Sequence, residues 1–223
     1  MQNYYHSLLK LIKTSKVFLT FFTLFVFSSV IILMFFGKSN SHLYTDSLHT
    51  PFDDTFFSYY THIGDGWIYA ILILILCIRW IGTYGHSLRA LGCFLMAGLG
   101  AQALKHVFES PRPKSFFGES ALHTVSGVAM LSSHSMPSGH TATAFSMFLL
   151  LVFISNEKGK NSTLLQVILY FIAWLVGMSR IYLSQHFLED VIVGSIIGVV
   201  GTLAFCAFAD VVLSGKSFYN KSL

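Results

Sequence analysis

Charge is what this 223-residue chain has least of. Asp, Glu, Lys and Arg together make up 11% of it, against about 25% in an ordinary soluble domain. So few charges cannot coat a globule of this size, which excludes a soluble reading. Proline is scarce at 4 residues, yet there are 22 Phe and 10 Tyr, which excludes a disordered chain. Cysteine is limited to Cys77, Cys93 and Cys206, with no CxxC pair. Each lies in an apolar run and is expected to be a small buried hydrophobe rather than part of a disulfide framework. The net charge of +4 is too weak for a nucleic-acid partner. What the chain does have is 54% hydrophobic residues and a mean hydropathy of +0.65, the composition of a multi-span membrane protein.

Charge-free stretches predict six spans. Val17–Phe36, the residues between Lys160 and Arg180, and those between Asp190 and Asp210 are the clearest. At about 1.5 Å per residue, some twenty residues reach one hydrocarbon thickness of about 30 Å. Gly64–Thr83, Leu88–Phe108 and Ser138–Ser155 complete the set, with Arg79, Arg89 and Lys105 near span ends. The first run lacks a small-residue cleavage site after it, so it is expected to be an uncleaved helix rather than a signal peptide. Before it, Tyr5, Leu8, Leu9 and Ile12 oppose Lys10 and Lys13 at helical spacing. That fits either a short interfacial helix or a plain basic juxtamembrane stub. Asp65 is expected to cap the second span. The segment Gly37–Ile63 fits an interfacial helix or a lid.

Lys and Arg set the orientation. With the N-terminus inside, nine of them fall on inner segments and five on outer ones, namely Lys38, Lys105, Arg112, Lys114 and Arg180. An even number of spans returns the C-terminus to the inside. The chain then divides into an N-terminal cytoplasmic basic segment (1–16), a six-span domain (17–210) and a cytoplasmic tail (211–223).

This topology brings three polar stretches to one membrane face. They are Lys105 through Arg112-Pro113, Pro137-Ser138-Gly139-His140, and Ser179-Arg180 through His186 to Asp190. Guanidinium groups fork onto phosphate oxygens, and Lys acts as a point charge. A helix starting after Pro137 offers free N–H groups and a positive dipole end, and Gly139 permits close backbone approach. These features suit a phosphoryl group. His186 and Asp190 stand one helical turn apart. A carboxylate on one ring nitrogen leaves the other free to attack phosphorus, and His140 can protonate the leaving oxygen. Taken alone, each piece also has a plainer reading: a topology-determining cation, a helix N-cap, a surface His–Asp pair or two metal ligands. Three nearby cations would repel a metal.

The three stretches resemble the signature motifs of the type-2 phosphatidic acid phosphatase superfamily: Lys, six residues, Arg-Pro; Pro-Ser-Gly-His; Ser-Arg, five residues, His, three residues, Asp. Every motif position matches, over roughly Gly98–Gly201. The resemblance implies an all-α fold, a six-helix transmembrane bundle, with no metal and no other cofactor. It implies phosphate binding by Lys105, Arg112, Ser138, Gly139 and Arg180. It also implies His140 as general acid, His186 as nucleophile and Asp190 as the partner that orients it.

The function expected is an integral membrane lipid phosphatase. It would act through a phosphohistidine on a lipid phosphate monoester or a polyprenyl diphosphate, with phosphatidic acid, phosphatidylglycerol phosphate, undecaprenyl diphosphate and lipid A phosphates as candidates. A lipid phosphotransferase using the same intermediate is the alternative. A transporter is disfavoured because the span centres lack charge. The expected partners are the lipid substrate and membrane lipids. The expected site is the periplasmic or extracellular face of a bacterial inner membrane. Among neighbouring residues, Tyr182 and Gln185 are candidates to line the pocket and Glu109 and Glu189 to balance charge. His106, His123 and His134 are expected to be loop or interface residues.

Overall fold

The computed structural model describes residues 2–78 and 83–214. Arg79, placed above at a span end, and the tail lysines Lys216 and Lys221 lie outside the described residues. Among the described residues the fold is all helical. The helices are α1 (Gln2–Thr14), α2 (Lys16–Asp46), α3 (Pro51–Tyr60), α4 (Gly66–Cys77), α5 (Tyr84–Phe108), α6 (Pro113–Phe117), α7 (Gly139–Glu157), α8 (Thr163–Tyr182) and α9 (Leu188–Ser214). Five described helical stretches are long and apolar enough to cross a membrane. A sixth crossing arises if α3 with its 3₁₀ extension and α4, bent by 49°, form one broken span.

That bend is the main departure from the expected spans. α4 has 12 residues, about 18 Å at helical rise, short of a hydrocarbon thickness. The chain enters it through Thr61–Gly64, a 3₁₀ turn continuous with α3. The segment Gly37–Ile63 is therefore almost wholly helical. α2 runs 31 residues, past the expected end at Phe36, and turns at Gly37 with φ 69°, a left-handed conformation that glycine adopts without a Cβ clash. α1 is helical and lays Ser7 and Leu11 against the bundle while Tyr5, Leu9 and Ile12 stay exposed.

α7 is the enclosed centre, packed by α5, α8 and α9. Its Phe145 meets Phe18, Phe22, Phe25 and Tyr170. Glycines let α9 come close. A Cβ on Gly194 would stand 2.5 Å from the Ser138 carbonyl oxygen, and one on Gly198 2.5 Å from that of Ala142. This four-residue spacing of small residues is a common device for helix contact in membranes. It seats the start of α7 against the start of α9, where Ser138 N donates to Asp190 O at 3.0 Å.

The far end of the bundle is closed by a separate polar network. Arg89, buried, forms ion pairs with Glu157 and Asp210, and His86 Nε2 lies 2.8 Å from Glu157. Cys93 and Cys206 are buried with their sulfurs 3.6 Å apart. Cys77 departs from expectation and is exposed on α4.

Candidate active site

His186 sits in the short connection between α8 and α9. Arg180 O accepts from both Gln185 N and His186 N, at 3.0 and 3.1 Å, and Ser184 takes φ 50°. This tight turn folds the ring back under the end of α8, where it is 1% exposed. Its Nδ1 lies 3.3 Å from Asp190 Oδ2. Asp190 is held in the first turn of α9, where Oδ2 accepts from Phe187 N at 2.9 Å and from the Ser135 hydroxyl. Ser135 also lies 3.5 Å from His186 Nδ1. Ser135 belongs to no motif, and its role arises because the chain just before Pro137 passes over α9.

Lys105, Arg112 and Arg180 come from three elements, and the charges of all three act on His186. Burial first, then these cations, hold the imidazole well below its ordinary value, so the ring is neutral at pH 7. Arg112 is anchored by protein carbonyls: Nε donates to Ser133 O at 2.9 Å and Nη1 to Gln185 O at 3.0 Å. Arg180 Nη1 donates to Thr61 Oγ1 at 2.7 Å, while its Nε is buried without a partner. Ser138 caps α7 and accepts from the Thr141 hydroxyl at 2.8 Å. Beside Gly139, a Cβ would meet nothing within 4 Å, which leaves the N–H groups at the start of α7 open to a ligand.

His140 is paired with Asp65. Nε2 and Oδ1 are 2.7 Å apart. Asp65 does occupy the N-cap position of α4, but its side chain makes no capping bond. Its carboxylate accepts instead from His62 Nδ1 at 2.8 Å and Trp67 Nε1 at 3.0 Å. The bend between α3 and α4 turns this residue toward α7, and that bend leaves no mark in hydrophobic periodicity. Gly64 allows the approach, since a Cβ there would stand 3.0 Å from the His140 backbone oxygen.

The structure therefore brings together all eight residues proposed from the motifs. It adds Asp65, Ser135, Thr61 and two residues of α2. Lys38 pairs with Glu189 at 2.5 Å and lies 4.0 Å above the Phe187 ring. His42 reaches Ser184 Oγ at 3.1 Å. Gln185 braces Arg112 as described, whereas Tyr182 turns outward to Asp54, 2.7 Å away. Glu109 caps α5 in the left-handed conformation.

The family model described as PAP2 superfamily matches residues 87–212, more than half of the chain and all three motifs. This chain belongs to the PAP2 superfamily. Among its relatives are the lipid A 1-phosphatase of Porphyromonas gingivalis, 33% identical over 135 residues, and the dolichyldiphosphatase of Saccharomyces cerevisiae, 29% identical over 170 residues. The matches cover 60% and 70% of this chain. They span 26% of the first relative, about a quarter of its length, and 69% of the second. Among solved structures, Aquifex aeolicus LpxE aligns with a TM-score of 0.64 at 24% identity, over 75% of this chain and 93% of that one. A transmembrane PAP2-type phosphatidylglycerolphosphate phosphatase from Bacillus subtilis aligns at 0.58 and 24% identity, over 93% and 99%. The α-helical membrane fold of this PAP2 member is thus shared with membrane phosphatases.

Proposed function

We propose that this PAP2 member is a lipid phosphatase that works through a phosphohistidine on His186. The observation that carries this reading is a buried imidazole 3.3 Å from the Asp190 carboxylate at Nδ1, set among three cations that, with burial, hold it well below its ordinary value. Nε2 attacks phosphorus, an N–P bond forms and the bond to the lipid oxygen breaks. His140, whose Nε2 lies 2.7 Å from Asp65 Oδ1, gives a proton to the departing lipid-side oxygen. Water then attacks the phosphohistidine, His140 takes its proton, and inorganic phosphate leaves. Lys105, Arg112 and Arg180, with the N–H groups at Ser138–Gly139, hold the phosphoryl oxygens as charge builds. These fixed cations supply the role a metal would otherwise fill.

The substrate class is a lipid phosphate monoester or a polyprenyl diphosphate. The names of the relatives, lipid A 1-phosphatase, dolichyldiphosphatase and phosphatidylglycerophosphatase B, support that range. The site stands at the end of the bundle reached by the C-terminus of α2 and the start of α7. The Lys and Arg distribution supports an outer-face site, where a headgroup would rest while its chains remain in the bilayer.

The test is phosphate release by the purified full chain from phosphatidic acid, phosphatidylglycerol phosphate, undecaprenyl diphosphate and lipid A. Release from at least one, abolished in His186→Ala, is expected. No release from any would overturn the reading. Label passing to an added lipid alcohol in preference to water would assign a phosphotransferase instead.

A further inference from the structure

Outside the catalytic centre, three metal-ligating side chains converge at the same end of the bundle. His49 and Asp54 lie in and just after the connection from α2 to α3, and His123 lies in the loop before α7. Their ligand atoms all stand within 4.8 Å of one another. His49 Nδ1 is 2.6 Å from Asp54 Oδ1, and His123 Nε2 is 2.8 Å from Asp54 Oδ2. The loop is drawn in by its backbone as well, since His123 N donates to Asp46 at 3.2 Å. Tyr182 supports the group from beneath, its hydroxyl 2.7 Å from Asp54 Oδ1 and its ring against that of His49.

We propose that His49 Nδ1, His123 Nε2 and one Asp54 oxygen bind a single Zn²⁺. Two imidazoles and a carboxylate are a usual protein donor set for this ion, with the fourth position left to water. The hydrogen-bonded arrangement leaves one atom unexplained. His49 Nδ1 must carry a proton to donate to Asp54, so Nε2 presents a lone pair. That atom is buried without a hydrogen-bond partner, and the nearest charged group, Asp46 Oδ1 at 3.8 Å, is another acceptor. Zinc on Nδ1 moves the proton to Nε2, where it points at Asp46. That is the carboxylate–histidine–metal arrangement of an outer shell that orients a ligand. On His123 the proton moves from Nε2 to Nδ1, and no net proton is released.

The consequence is a clasp. Zinc ties the loop that holds Arg112 through Ser132 O and Ser133 O to the segment after α2. It takes no part in phosphoryl transfer. The inference is independent of the phosphatase reading, because its test reads metal binding.

Full-length protein in detergent, stripped with chelator and dialysed, is titrated with Zn²⁺ alone by calorimetry while its thermal midpoint is followed. One saturable Zn²⁺ per chain is expected, with a rise in thermal midpoint. His123→Ala and Asp54→Asn should each weaken binding at least tenfold and abolish that rise. His123 is exposed, so its variant folds, and its phosphate release should be indifferent to EDTA. Absence of saturable uptake, or uptake unchanged in both variants, would overturn the proposal.

Discussion

A histidine can attack phosphorus only as the neutral ring. At His186 burial and three cations keep it so. Protonation therefore removes the proposed nucleophile only well below pH 6.5, the ordinary imidazole value. With the aryl ester p-nitrophenyl phosphate, which needs no acid, kcat/KM should hold as pH falls through 6.5 and drop only at more acid pH. Lys105→Met deletes one positive charge, so His186 gains protons more readily and the acid limb moves to higher pH. A pH–rate profile of the two proteins checks this, and an unmoved limb refutes it. As the proposed general acid, His140 has the opposite need, because it must hold a proton to give away. Asp65, 2.7 Å from its ring, supplies the counter-charge as a positioning residue. Asp65→Asn should lower kcat for a lipid phosphate about 10²-fold, within the range of general acid catalysis. With p-nitrophenyl phosphate kcat should change little, because that leaving group needs no proton. An equal loss on both substrates would indicate a merely structural role.

At the scale of elements, the motifs are aligned by helix packing. Ser138 and Asp190 meet across the backbone because α9 carries Gly194, where a Cβ would strike the Ser138 carbonyl at 2.5 Å. Gly194→Val should cost about 1–3 kcal/mol, as overpacking does, and should lower activity beyond the loss of folded protein because it parts the second motif from the third. Thermal unfolding alongside specific activity measures both. The long spans were legible from charge-free runs because hydrophobic length is a one-dimensional property. The cluster of Lys105, Arg112, His140 and His186 was legible because counting spans puts their segments at one end. Asp65 was not, since its partner depends on the 49° bend between α3 and α4. Ser135 was not either, because only the crossing of its segment over α9 brings it to Asp190. Lys38 and His42 were hidden by α2 continuing past Gly37 for a further nine residues.

As a whole, the molecule is a helical bundle with two polar ends and an apolar middle. One end is a closed network around Arg89, which holds α5, α7 and α9 together. The other is open at Gly139 and holds the proposed chemistry. A lipid headgroup fits that division, because it meets the cations at the interface without leaving the bilayer. In a variant lacking the three native cysteines, Glu119→Cys, exposed beside the site, should react with an impermeant thiol reagent from outside intact cells. Labelling from inside alone would reverse the proposed orientation.

The most direct measurement is to quench the purified protein during turnover of a ³²P-labelled lipid phosphate and locate the label. The account predicts an acid-labile, alkali-stable phosphoryl group on His186, absent from His186→Ala and accumulating when water attack is slowed. Turnover that proceeds at full rate in His186→Ala, or label found on another residue, would contradict it.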